Sequence, residues 1–122
     1  MQNRKSSKSF REQFICQRAH EMVLEVYRIT KDFPKGEQYG LTAQIRRAAT
    51  SAATTMVEGF EKKKATEKIR IMNASQHALS ETEQCLILAD GLDYGKMNML
   101  MSMTDEVRWM LGAYMNAIKR GR

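Results

Sequence analysis

Four stretches of this chain place apolar or small residues at alternating intervals of four and three, and this constrains the fold more than any other feature. The first set is Ile15, Ala19, Met22, Val26, Ile29 and Phe33; the second is Leu41, Ile45, Ala48, Ala52, Thr55 and Gly59. The third is Met72, Ser75, Leu79, Thr82, Leu86 and Ala89, and the fourth is Leu100, Met103, Val107, Met110, Tyr114 and Ala117. Such spacing lines up one side of an α-helix and forms the seam along which helices pack. The seams predict helices over about Phe10 to Asp32, from Glu37 or Leu41 to Lys63, from an N-cap at Thr66 to an end bracketed by Gly91 and Gly95, and over Lys96 to Lys119. Phe14, Val23 and Tyr27 are expected to widen the first seam into a core-facing stripe, and Trp109, Leu111 and Ile118 lie off the fourth.

Short connections between amphipathic helices imply antiparallel neighbours. The expected fold is all-α, an up-down-up-down four-helix bundle over residues 10–122, preceded by a disordered basic tail over 1–9. The only proline is Pro34, placed with Gly36 at the first break. β-branched residues never alternate in a cluster, so no strand is expected. The second helix has an unusually small-sided seam, which predicts close approach by a neighbour. The third carries a second stripe beside its seam: Ile71, Ala74, Ala78, Glu81, Cys85, Leu88 and Leu92. This surplus of apolar or small surface on two helices predicts a homo-oligomer.

The N-terminus is polar and basic with no apolar core, unlike a secretory signal, and no apolar run reaches the roughly 18 residues of a membrane span. A cytoplasmic protein with no membrane association is expected. Cys16 and Cys85 lie far apart within helical patterns and read as reduced, mostly buried thiols.

Catalytic and cofactor signatures are missing. His20 and His77 each stand alone, without the spacing of a metal site. There is no phosphate-cradling glycine loop and no nucleophile elbow. Glu81 and Glu83 point about 200° apart on a helix and cannot share a substrate. Asn73-Ala74-Ser75 matches a glycosylation pattern by chance in mid-helix. The methionine-rich stretch Met97, Met99, Leu100, Met101 and Met103 reads as core filling rather than an adaptable binding surface. A non-enzymatic protein without cofactor or metal is expected.

The charge is the remaining signal: +6, with an isoelectric point near 9.5. The cations fall into three clusters. Arg4, Lys5 and Lys8 lie in the tail; Lys62, Lys63, Lys64, Lys68 and Arg70 lie around the second-to-third helix turn; Lys119, Arg120 and Arg122 end the chain. In an up-down bundle all three converge on one pole, which suits phosphate binding by RNA or DNA. An acidic protein partner suits the same charge. The aromatic residues that stack unpaired bases are not interleaved with these clusters.

The run Phe33-Pro34-Lys35-Gly36-Glu37-Gln38-Tyr39-Gly40-Leu41-Thr42-Ala43-Gln44-Ile45-Arg46-Arg47-Ala48-Ala49, followed by Ser51 and by Glu58-Gly59, resembles the four-helix bundle family of 23S ribosomal RNA intervening-sequence proteins. Ala78-Leu79-Ser80-Glu81-Thr82-Glu83, then Leu88, Ala89, Leu92 and Tyr94, resemble the third helix of that family and its end. The chain departs from the family pattern at Ala52 to Val57, where Ile-Pro and then Asn are usual, and at Ala78, where Ser is usual. The resemblance implies a small cytoplasmic bacterial bundle that forms rings, a pentamer being favoured, and no catalytic activity. Relatives include accessory variability proteins of diversity-generating retroelements, which resemble basic rings that bind nucleic acid and a reverse transcriptase.

The motif residues also have a physical reading. Arg47, Ser51, Thr54 and Glu58 form a polar stripe on the second helix, and Glu81 interrupts an apolar stripe on the third. A buried Glu81 would need a cation, with Arg46 or Arg47 the natural partner. Gln44, Arg46, Arg47, Glu58, Gly59 and Glu81 are therefore expected to fix helix register or subunit contacts rather than touch a ligand.

Overall fold

The computed structural model describes residues 9–121, and among these all regular structure is helical. Four α-helices follow in order: α1 (Phe10–Thr30), α2 (Leu41–Glu61), α3 (Ala65–Gly91) and α4 (Asn98–Gly121), with one 3-10 turn at Lys35–Glu37. α1 packs on α2 and α4, and α3 packs on the same two helices. The expected tail over 1–9 lies outside the described residues except for Ser9.

Ser9 starts α1: its hydroxyl accepts the Glu12 backbone N–H at 3.0 Å, satisfying a helix-start donor that would otherwise lack a partner. α2 starts differently. Its N-cap is Gly40, which has no side chain, so Glu37 reaches over from the 3-10 turn and its Oε1 accepts the Leu41 N–H at 2.9 Å. A Cβ on residue 40 would stand 2.8 Å from that oxygen, which is why glycine belongs there. α3 begins at Ala65 without a side-chain cap, so Thr66 lies inside the first turn rather than capping it. At its other end Tyr94 N–H bonds Ala89 C=O and Leu92 N–H bonds Leu88 C=O. The left-handed residue of that turn is Asp93, at φ 60°.

The four seams meet in one core. Ile15, Met22, Ile45, Met56, Met72, Leu79, Leu86, Leu100 and Val107 are buried within it. Leu111, placed off the fourth seam by its spacing, is also fully buried, because the interior side of α4 is wider than a single seam. Met97 is buried too, whereas Met99 is exposed and Met101 and Met103 are partly buried. Met97 and Leu100 thus fill the core as expected, while Met99 lies at the surface.

Polar contacts also tie α2 to its neighbours. Ser75 Oγ, fully buried on α3, donates to the Ala52 carbonyl of α2 at 2.7 Å. Arg46 Nε donates to Thr30 Oγ1 of α1 at 2.8 Å, while the Arg46 guanidinium lies over the Tyr27 ring at 4.5 Å.

A further tie joins the α1–α2 connection to the α3–α4 connection. Tyr94 Oη donates to Glu37 Oε2 at 2.7 Å, and the Tyr94 ring packs on Phe33 with centroids 5.3 Å apart. The Tyr94 hydrogen bond, and then the Leu41 N–H, hold the Glu37 carboxyl below the usual carboxylate range; the same carboxylate pushes the Tyr94 phenol up. A lowered carboxyl contributes stability above its unfolded value and loses it as pH falls through the folded one. A raised phenol contributes below its unfolded value and loses it as pH rises through the folded one. Thermal melts of Tyr94→Phe should therefore show a shallower decline than the parent both below about pH 4 and above about pH 10.

Candidate nucleic-acid interface

The basic end is assembled from parts of all four helices. Tyr114 of α4 connects three of them: its hydroxyl donates to Glu12 of α1, and its ring meets Phe60 of α2 edge-on at 5.0 Å. Arg11 of α1 also lies over that ring, at 5.8 Å. Burial, and then the Glu12 hydrogen bond, push the Tyr114 phenol well up, so it stays protonated as the donor. α3 joins through a recess of about 450 Å³ lined by Ala65, Thr66 and Ile69 of α3 with Ile118 and Lys119 of α4. The start of α1, the end of α2, the start of α3 and the end of α4 are thus neighbours.

Within this end Lys63, Lys64, Lys119 and Arg120 are exposed, and Lys62 is partly so. The sequence-predicted clusters around the second turn and in α4 therefore come together. Lys68 is the exception. Its Nζ donates to the Phe60 carbonyl at 2.8 Å and the Gly59 carbonyl at 3.4 Å, so it closes the C-terminal end of α2 instead of facing a ligand. Arg70 is exposed further along α3. Glu61 and Glu67, both exposed, flank the lysine run and offset part of its charge. Arg4, Lys5, Lys8 and Arg122 lie outside the described residues.

The motif residues separate into two groups. Gly59 is buried where α2 meets α3, and a Cβ there would stand 3.0 Å from Met72 Cγ. Arg46 joins α2 to α1, as described above. Gln44, Arg47 and Glu58, by contrast, are exposed. Tyr27, Ala43, Arg46, Arg47, Thr50, Ser51 and Thr54 line an open groove of about 440 Å³ between α1 and α2.

Glu81 departs from the sequence reading. It is exposed on α3 and makes no ion pair with Arg46 or Arg47. The apolar stripe containing it is itself only half buried: Ile71, Ala78 and Cys85 turn inward, while Ala74, Leu88 and Leu92 face out. Arg46 uses a buried threonine, a carbonyl and a tyrosine ring instead of a carboxylate. The carboxylates that do pair across helices are Glu106 with Arg18 and Glu83 with Arg108. Cys85 is buried, which pushes its thiol up, with Glu81 adding to the rise; Cys16 is only partly buried.

Sequence reasoning missed two features. Glu37 and Tyr94 were visible as motif residues, but their bond across separate loops was not; a topology placing both loops at one end was the available signal. Phe14, assigned to the core stripe, faces solvent with Phe10. No group of histidine, cysteine or carboxylate side chains among the described residues could hold a metal ion. No helix among them is long and apolar enough to cross a membrane.

A profile of the 23S rRNA-intervening sequence protein family matches residues 11–113, from the first turn of α1 into α4. The chain belongs to this family. The match takes in the Phe33–Gly59 motif and the Glu37–Tyr94 tie, and it stops just before Tyr114 and the cations that end α4. The family is one of small helical proteins and is not a known enzyme family. No curated protein sequence matches the chain significantly.

Glu81→Ala should shift stability by no more than about 0.5 kcal/mol, as for an exposed side chain without a partner. Equilibrium denaturation checks this; a loss of several kcal/mol would place Glu81 in a buried contact.

Proposed function

We propose that this member of the intervening-sequence family is a non-enzymatic, ring-forming bundle that associates with RNA or DNA through its basic end. The observation that carries the reading is the convergence of Lys62, Lys63 and Lys64 with Lys119 and Arg120 around the Tyr114 junction. Contacts between residues 12 and 114 and between 18 and 106 run in opposite directions along α1 and α4, and those between 52 and 75 and between 60 and 68 do so along α2 and α3. These contacts support an antiparallel up-down-up-down order. Such a site would recognise phosphates rather than base edges. The rival reading, an acidic protein partner, uses the same cations.

The reading includes a cytoplasmic homo-oligomer, with a pentamer favoured. Leu88 on α3, Leu92 just after its end and Val57 on α2 are exposed in the single chain, as expected of surface that another subunit covers. Sedimentation equilibrium at micromolar concentration should show no dominant 14.0 kDa species; a clean monomer would remove the ring.

Changing Lys62, Lys63 and Lys64 together to Gln should weaken binding to labelled RNA and DNA of every sequence alike. It should also shrink the log–log salt slope by roughly 0.7 to 0.9 for each phosphate that the variant no longer neutralises. Unchanged affinity would exclude the lysine run. No binding at low salt would favour the acidic protein partner.

A further inference from the structure

Phe10 and Phe14 stand one turn apart at the start of α1, 88% and 51% exposed. The buried side of this helix is taken by Ile15, Ala19, Met22 and Val26, so both rings are left on the outside. With Arg11, Gln13 and Gln17 they line an open recess of about 500 Å³ whose only charged lining residue is the arginine. Arg11 is held beside this recess by its position over the Tyr114 ring. The bond from Tyr114 to Glu12 lays the start of α1 along the last turns of α4, and the ion pair of Arg18 with Glu106 continues the contact to the middle of both helices. The rings therefore lie at the same end as Lys119, Arg120 and the lysine run of the second-to-third helix turn.

Exposed flat apolar rings beside one arginine, at the same end as a group of exposed cations, suit a ligand of flat π-faces linked by phosphates. Unpaired bases offer those faces, while a duplex keeps its own stacked inside and offers only phosphates. We infer that Phe10 and Phe14 form a stacking ledge for unpaired bases of a single-stranded nucleic acid whose phosphates run across the neighbouring cations. The inference rests on the nucleic-acid reading of the basic end, and it narrows the ligand from any polyanion to a strand with unpaired bases. Arg11 and the glutamines border the ledge, where they can meet a phosphate or a base edge.

The test is fluorescence anisotropy of the full chain with three labelled probes: oligothymidine, an abasic strand of the same length, and a duplex. The parent should bind oligothymidine roughly tenfold or more tighter than the abasic strand. Phe10→Ala with Phe14→Ala should reduce oligothymidine binding to the abasic level and leave duplex binding and its salt slope unchanged. Phe10→Trp with Phe14→Trp should restore the preference, and circular dichroism should show all variants equally helical. Equal binding of oligothymidine and the abasic strand, unaltered by the alanines, overturns the ledge and leaves the phosphate-binding end standing. Absence of binding to all three probes overturns both readings. If the alanines instead dissociate the oligomer and weaken all probes together, the rings are a contact between copies and the ledge is wrong.

Discussion

The approach of α2 to α3 depends on side chains that are nearly absent. Gly59 leaves Met72 only enough room to pass, and Ala48 and Ala52 keep the rest of the seam low. Ser75 then lies deep enough to donate to the Ala52 carbonyl, a bond that a larger residue in the seam would hold out of reach. Interiors pack at the density of organic crystals, so such a contact leaves little freedom for either helix to slide or rotate. The other two helices take their places against this pair: α1 through Arg46 and Thr30, and α4 through Arg108 with Glu83 and the Gln76 amide on the Arg108 carbonyl.

This frame makes the two ends of the molecule chemically different. At one end a single carboxylate, Glu37, starts α2 and accepts the Tyr94 hydroxyl, so that one residue satisfies a helix start and joins two loops. At the other end the junction is aromatic, with Tyr114 between Phe60 and Glu12. Its cations point outward because the interior bonds are already made, except for Lys68, whose ammonium is used on the α2 carbonyls.

The family motif gains a physical explanation from this arrangement. Phe33, Glu37, Gly40 and Leu41 build the loop tie, Arg46 locks two helices, and Gly59 permits the α2–α3 contact. These are structural roles, in keeping with the motif's concentration on one helix and its preceding turn. Gln44, Arg47 and Glu58 have no such role within a single chain and remain on its surface. The surface features proposed for nucleic acid lie mostly away from the motif, on helix ends whose geometry the motif supports.

Periodicity alone determined the helices and most of the core, because alternating intervals of four and three have only one compact solution, helices packed seam to seam. The six seam positions of α3 are all buried as their spacing required. The short loops and the single proline likewise marked the breaks. Spacing did not decide how wide each interior side would be, since that depends on the angular position of two neighbours. Leu111 was therefore enclosed, while Phe14 and Tyr27 were left facing solvent. Nor could it decide polar partners. A buried Glu81 would have needed Arg46 or Arg47, yet Glu81 and Arg47 are exposed and Arg46 binds Thr30 instead. Burial of a charge and the choice of its partner are set by the relative placement of separate helices, so tertiary structure alone could assign them.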